Sequence, residues 1–175
     1  STIGNWTPQE LPTAASNVII PSGLTNYPTI ANGTNVTINS VTINSGASLI
    51  AQGTATLTGN VTYKRNLSFV SGNAEGWHLV GAPVAGQTYN DTFVSANSIA
   101  SGTGSNRGIA TYDNGVATGN WTYLQSGGSG TFETGKGYSV KTSQTTDISF
   151  TGTLHTDAVA EPITVGAGTP FNLIS

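Results

Sequence analysis

Few side chains in this sequence could do chemistry. Eight carboxylates, two histidines and five basic residues are scattered over 175 positions, and cysteine is absent. Without cysteine there is no thiol nucleophile, no thiolate metal site and no disulfide. His78 and His155 are far apart and lack the short paired spacing of a zinc site. A serine triad needs a strained nucleophile turn, and G-x-S-x-G does not occur. Two acids could face each other across a groove, as in glycoside hydrolysis, but these acids show no signature. The run from Gly102 through Gly104 to Gly108 lacks both the G-x-G-x-x-G spacing and the following helix of a phosphate loop. The sequence therefore predicts a protein that is not an enzyme, with no catalytic residues, no metal site and no cofactor. Ca2+ is the one ion left open, because turns near Asp91, Asp113, Asp147 or Asp157 could supply oxygen ligands.

The more informative residues are aromatic. In Trp121-Thr122-Tyr123, strand alternation puts two rings on one face, and Tyr112, Trp77 and Tyr138 lie in neighbouring segments. Rings held flat at a surface stack on the apolar faces of sugars, while amides, carboxylates and cations fix the hydroxyls. The expected ligand platform is Trp121, Tyr123 and Tyr112, with Asp113, Asn114, Lys136 and Arg107 as its polar rim. Lys136, Lys141 and Arg107 could also meet a carboxylated or sulfated polysaccharide through charge-assisted hydrogen bonds. The competing reading places these rings in the core.

The elements that must position these residues are strands. Only 7% of residues are charged, against roughly a quarter in an average soluble protein, and Thr, Ser, Asn and Gly fill the polar positions. Thr suits a pleated surface, while Asn, Gly and Ser suit turns. Apolar residues recur at every second position in Val36-x-Ile38, Val41-x-Ile43, Leu49-x-Ala51 and Val61-x-Tyr63, and helical periodicity is almost absent. Ile19, Ile38 and Leu57 are 19 apart, as are Ile30 and Leu49, and Val41 and Val61 are 20 apart. A period near 20 suggests stacked β-solenoid coils, with an ordinary meander as the alternative.

From Lys64 onward aromatic residues become frequent and the connections longer. Strands are expected at Trp77–Val80, Ile109–Tyr112, Trp121–Leu124, Gly137–Lys141, Ile148–Thr151 and Ile163–Val165, with Gly/Ser-rich loops at 101–108 and 126–130. Asp113-Asn114-Gly115 reads as a hairpin turn. The fold class is thus all-β: a β-solenoid-like part over 1–63 joined to an antiparallel β-sandwich-like part over 64–175, or both as one continuous domain.

Several segments resemble modules of secreted proteins from the phylum Bacteroidetes, common in marine flavobacteria. They are Gly4-Asn5-Trp6 with Pro12 and Val18 to Pro21, VTINSGASL at Val41 to Leu49, WHLVGAPVAG at Trp77 to Gly86, IATYDN at Ile109 to Asn114, GKGYSVK at Gly135 to Lys141 and ISFTGTL at Ile148 to Leu154. The likeness covers most of the chain, and its motifs are structural in character. It implies a secreted or cell-surface location, beside adhesins or polysaccharide-degrading enzymes exported by the type IX system. Family members often continue past a segment like Phe171 to Ile174; the departure here fits a trimmed or processed chain, or a subunit completed by a neighbour's strand.

Partners follow from charge and hydropathy. Lys64, Arg65, Arg107, Lys136 and Lys141 are too few to track a phosphate backbone, so nucleic acid is not expected. No apolar run approaches the roughly 20 residues that span a bilayer. Two functions remain: a glycan-binding or adhesive surface module, and a structural subunit that self-associates into a fibre through strand pairing.

Overall fold

The computed structural model describes residues 3–168 and 170–175. Within them the chain runs β1 (Asn17–Ile20), β2 (Thr29–Ile30), β3 (Asn35–Ile43), β4 (Ile50–Ala51), β5 (Thr56–Leu67), β6 (Trp77–Gly81), β7 (Val84–Ala85), β8 (Thr88–Tyr89), α1 (Asp91–Ala96), β9 (Asn106–Tyr112), β10 (Trp121–Gln125), β11 (Gly130–Thr131), β12 (Gly137–Lys141) and β13 (Thr146–Leu154). The protein is all-β with several sheets. Two compact units divide it. The first holds the residues up to Arg65 together with Pro83–Ala85 and Ser149–Ala158; the second holds Asn66–Ala82, Gly86–Ile148 and the chain from Val159 onward.

In the first unit β1, β3 and β5 lie side by side and parallel, and β2 pairs parallel with β4. The offset is 23 residues from β1 to β3, as in Asn17↔Ser40, and falls from 21 to 20 between β3 and β5, as in Asn35↔Thr56 and Val41↔Val61. The spacing of 20 between Val41 and Val61 is therefore a true register, whereas the equal steps of 19 through Ile19 are not. Ile19 pairs with Thr42 and is 67% exposed, while Ile20 pairs with Ile43 and both are buried. The offset exceeds 19 by four, an even number, so the register alone would keep Ile19 on the face of Ile38; the irregularity in β3 between Thr37 and Ser40 shifts the alternation and leaves Ile19 on the outer face.

Neighbouring strands of this unit are tied by amides and hydroxyls. Asn17 Oδ1 accepts from Asn39 Nδ2 at 2.6 Å and from Ser40 Oγ at 2.7 Å, and Asn35 Oδ1 accepts from Thr56 Oγ1 at 2.6 Å. The register between β3 and β5 slips where Gly59 sits, at φ +143°. A Cβ there would lie 2.4 Å from Ile38 O, so only glycine lets the two strands approach.

The second unit is built on a four-stranded antiparallel sheet in the order β10-β9-β12-β6. Every residue of β12 is buried, as expected for a central strand covered on both faces. On one face Tyr138 meets Phe132 at 4.8 Å and Tyr89 at 5.9 Å, and Phe132 meets Phe93 at 5.3 Å. These tilted and edge-on contacts are the preferred ring geometries. Tyr138, grouped with the surface rings in the sequence, is thus a core residue at 2% exposure. Its hydroxyl donates to Thr131 O at 3.1 Å and accepts from Glu133 N at 2.8 Å, so the buried phenol is satisfied.

Three local expectations change. Helix α1 is absent from the hydrophobic pattern because six residues with one buried side chain, Phe93, are too short for a helical period; its signal is the cap, where Asn90 Oδ1 accepts from Phe93 N at 3.0 Å. The loop expected over 101–108 ends earlier, since β9 begins at Asn106. Residues 163–165 are not a strand; Thr164 is held instead by Asn114 and Asn172 side chains.

Burial raises the phenol pKa of Tyr138, and burial with the nearby Glu133 raises that of Tyr89. The folded chain therefore holds these protons at a pH where the unfolded chain loses them. The resulting stability is complete below about pH 10, the ordinary phenol value, and is lost as pH rises through the folded pKa. Denaturant midpoints measured between pH 8 and 11 should fall at the alkaline end. Tyr138→Phe should cost about 1–3 kcal/mol at pH 8, from the bonds lost at Thr131 O and Glu133 N, and should flatten the alkaline fall. An unchanged alkaline slope in the variant would contradict this assignment.

Candidate functional site

The second unit's sheet carries rings on the face opposite Tyr138. In an antiparallel pair, directly opposed residues share a face. Trp121 opposes Tyr112, and Tyr123 opposes Ala110, which in turn opposes Ser139, which opposes Leu79. Trp77 opposes Lys141 at the adjoining position of the same face. One side of the sheet therefore presents Tyr112, Trp121, Tyr123, Trp77 and Leu79. Leu79 is 68% exposed and Trp121 38% exposed.

These residues form two ring pairs. Tyr112 and Trp121 meet edge-on, centroids 4.9 Å apart at 60°. Trp77 and Tyr123 meet at 5.7 Å and 59°, although they stand on β6 and β10 with two strands between them. Small residues make that possible, because the positions between Tyr123 and β6 are Ala110 and Ser139, both buried.

Beside Tyr112 of the first pair lies an open depression of about 270 Å³ whose walls include Tyr112, Asp113, Asn114, Lys136, Glu161 and Phe171. Its rim is fixed by local bonds. Asp113 Oδ1 accepts from Gly115 N at 2.7 Å, and Asn120 Nδ2 donates to Asp113 O at 2.9 Å and to Val116 O at 2.8 Å. Asp113-Asn114-Gly115 does turn the chain between β9 and β10, but the connection is the longer stretch 113–120, closed by the Asn120 amide. Asn114 Nδ2 donates to Thr164 O at 2.9 Å and joins the loop to the segment that carries Asn172. Lys136 is ion-paired with Glu133, and the hydrogen bond to that carboxylate pushes the Lys136 pKa up.

Of the seven expected ligand residues, Tyr112, Asp113, Asn114 and Lys136 line one depression, and Trp121 packs on its Tyr112 wall. Tyr123 belongs to the Trp77 pair. Arg107 stands apart, in the stretch of β9 where the register to β10 shifts. Its Nη1 donates to Ser105 O and Asn106 O at 3.3 and 3.2 Å, and its Nε lies 3.9 Å from Asp91 Oδ1 beside α1.

Lys141 has a different role from the one its charge suggests. It is 8% exposed, and its Nζ donates to Val70 O at 3.1 Å, to Gly72 O at 2.7 Å and to Glu75 O. An ammonium has three donors, and all three are engaged. The same loop offers Asn73 O to Trp77 Nε1 at 3.0 Å. Lys141 thus clips the loop that orients the Trp77 ring. His78 is also structural in its contacts, with Nε2 2.8 Å from Ser68 O.

Among the described residues no three His, Asp or Glu side chains form a group that could hold a metal ion, and no helix is long and apolar enough to cross a membrane. No protein-family model matches the chain, and neither a curated protein nor a solved structure matches it.

If the ammonium clips the 70–75 loop, Lys141→Met should free that loop at a cost of about 1.5–3 kcal/mol, the range for hydrogen bonds to a charged group. Limited proteolysis with mass mapping should then show new early cuts within residues 70–76. Equal cleavage rates in variant and parent would remove Lys141 from this role.

Proposed function

We propose that the chain is a non-catalytic glycan-binding or adhesive module, secreted or held at the cell surface. One observation carries this reading: the edge-packed Tyr112–Trp121 pair stands beside an open depression rimmed by Asp113, Asn114 and Lys136. A sugar presents C–H groups on its ring faces and hydroxyls at its edge. Exposed aromatic faces suit the first, and a carboxylate, an amide and an ammonium suit the second. The Asp113 carboxylate accepts a bond from its own turn and Lys136 is paired, which favours holding a ligand over transferring its protons.

The same proposal reads the first unit as a short β-solenoid, supported by the parallel stacking of β1, β3 and β5 and the Asn ties between successive turns. It reads the second unit as sandwich-like. The likeness to modules of type IX-exported Bacteroidetes proteins fits both. A second reading, a fibre subunit joined by strand pairing, is favoured by β1: it ends its sheet with Ile19 exposed, an edge to which a further strand could add.

Native electrophoresis through gels containing single polysaccharides distinguishes the two. The glycan reading expects retardation of a monomer by at least one polysaccharide, weakened roughly ten-fold in Trp121→Ala, as loss of one buried stacking contact implies. No retardation by any polysaccharide, with ordered filaments under negative stain, would replace it by the fibre reading.

A further inference from the structure

The Trp77–Tyr123 pair lies outside the depression, yet shares its sheet face. Trp121 and Tyr123 are two residues apart on β10, about 7 Å along the strand, so the two ring pairs stand side by side. Leu79, level with Tyr123 in the cross-strand row, continues the apolar surface. Val70, in the loop that Lys141 clips, and Phe69 just before it are also exposed. This face is larger than one sugar ring needs.

Its geometry is set before any ligand arrives. Lys141 Nζ holds the carbonyls of Val70, Gly72 and Glu75, Asn73 O fixes the Trp77 indole, and the indole meets Tyr123 at 5.7 Å. A ring already ordered loses little freedom on binding, and its contact contributes more fully to affinity.

The charge around the face is equally specific. Lys141 has no free donor, Lys136 is paired with Glu133, and Arg107 is turned to Ser105 O, Asn106 O and Asp91. The depression adds the carboxylates of Asp113 and Glu161. Among the described residues of this unit, an anionic polymer would meet two carboxylates and only cations already bonded within the protein, whereas a neutral one meets rings and hydrogen-bonding groups.

We infer that Trp77 and Tyr123 form a second sugar-stacking platform, continuous with Tyr112 and Trp121, and that the ligand is an extended neutral polysaccharide whose successive residues lie on the two pairs. This rests on the glycan-binding reading above and adds to it the class of polymer, the length of the site and the positioning role of Lys141.

The test compares wild type, Trp121→Ala, Trp77→Ala and Tyr123→Ala in affinity gels. Neutral polymers (hydroxyethylcellulose, xyloglucan, galactomannan, laminarin) are set against acidic ones (alginate, carrageenan). Far-UV circular dichroism confirms folding, and Tyr123→Ala stands in if Trp77→Ala does not fold. The expected result is retardation of wild type by a neutral polymer alone, weakened roughly ten-fold by loss of either platform. Binding by Trp77→Ala and Tyr123→Ala within two-fold of wild type, while Trp121→Ala is impaired, overturns the second platform and leaves the first. Retention by the acidic polymers equal to or above that by the neutral ones overturns the neutral class. Failure of wild type to bind any polymer removes the glycan reading itself.

Discussion

Lys141 stands on a strand covered from both sides, where an ammonium without partners would be strongly unfavourable. The loop after Phe69 supplies what it needs, three backbone carbonyls turned toward one nitrogen. Because those carbonyls belong to exposed, irregular backbone, the bond works in both directions: the loop satisfies the charge, and the charge holds the loop. Asn73 O then reaches the Trp77 indole, and the ring settles against Tyr123. The shape of the outer aromatic face follows from one buried charge at the end of β12.

The aromatic residues of the second unit divide by face. Tyr138, Phe132, Tyr89 and Phe93 interlock as a core, while Trp77, Tyr123, Tyr112 and Trp121 pair on the other side with part of their surface left to solvent. A chain so poor in charge relies on amides where others use ion pairs. Asn17 and Asn35 tie neighbouring strands in the first unit, and Asn114, Asn120 and Asn172 bind the loops of the second. Neutral amides donate and accept together, so they can bridge backbone segments without the desolvation cost of a charge.

Much of the fold was legible because strand period and β-branched composition agree, as at Gly137–Lys141, read with its true bounds, and at Val41 and Val61, which pair directly. The equal spacing through Ile19 does not hold because the offsets between paired strands differ, 23 residues and then 20 or 21. In the site, Trp121, Tyr112, Asp113, Asn114 and Lys136 were legible from neighbourhood in sequence, since one hairpin carries most of them. Trp77 with Tyr123 was not, because their meeting depends on strand order and on Ala110 and Ser139 being small. Lys141 looked like a surface cation; only its place on the central strand makes it structural.

Three tryptophans give three indole N–H signals, from Trp6, Trp77 and Trp121, and in a ¹⁵N-labelled sample they report the outer face directly. Titration with neutral polysaccharides should shift the Trp121 and Trp77 signals along one saturable curve and leave Trp6 in place. Trp77 and Trp121 signals that stay fixed with every polysaccharide would contradict the claim that this face holds a glycan.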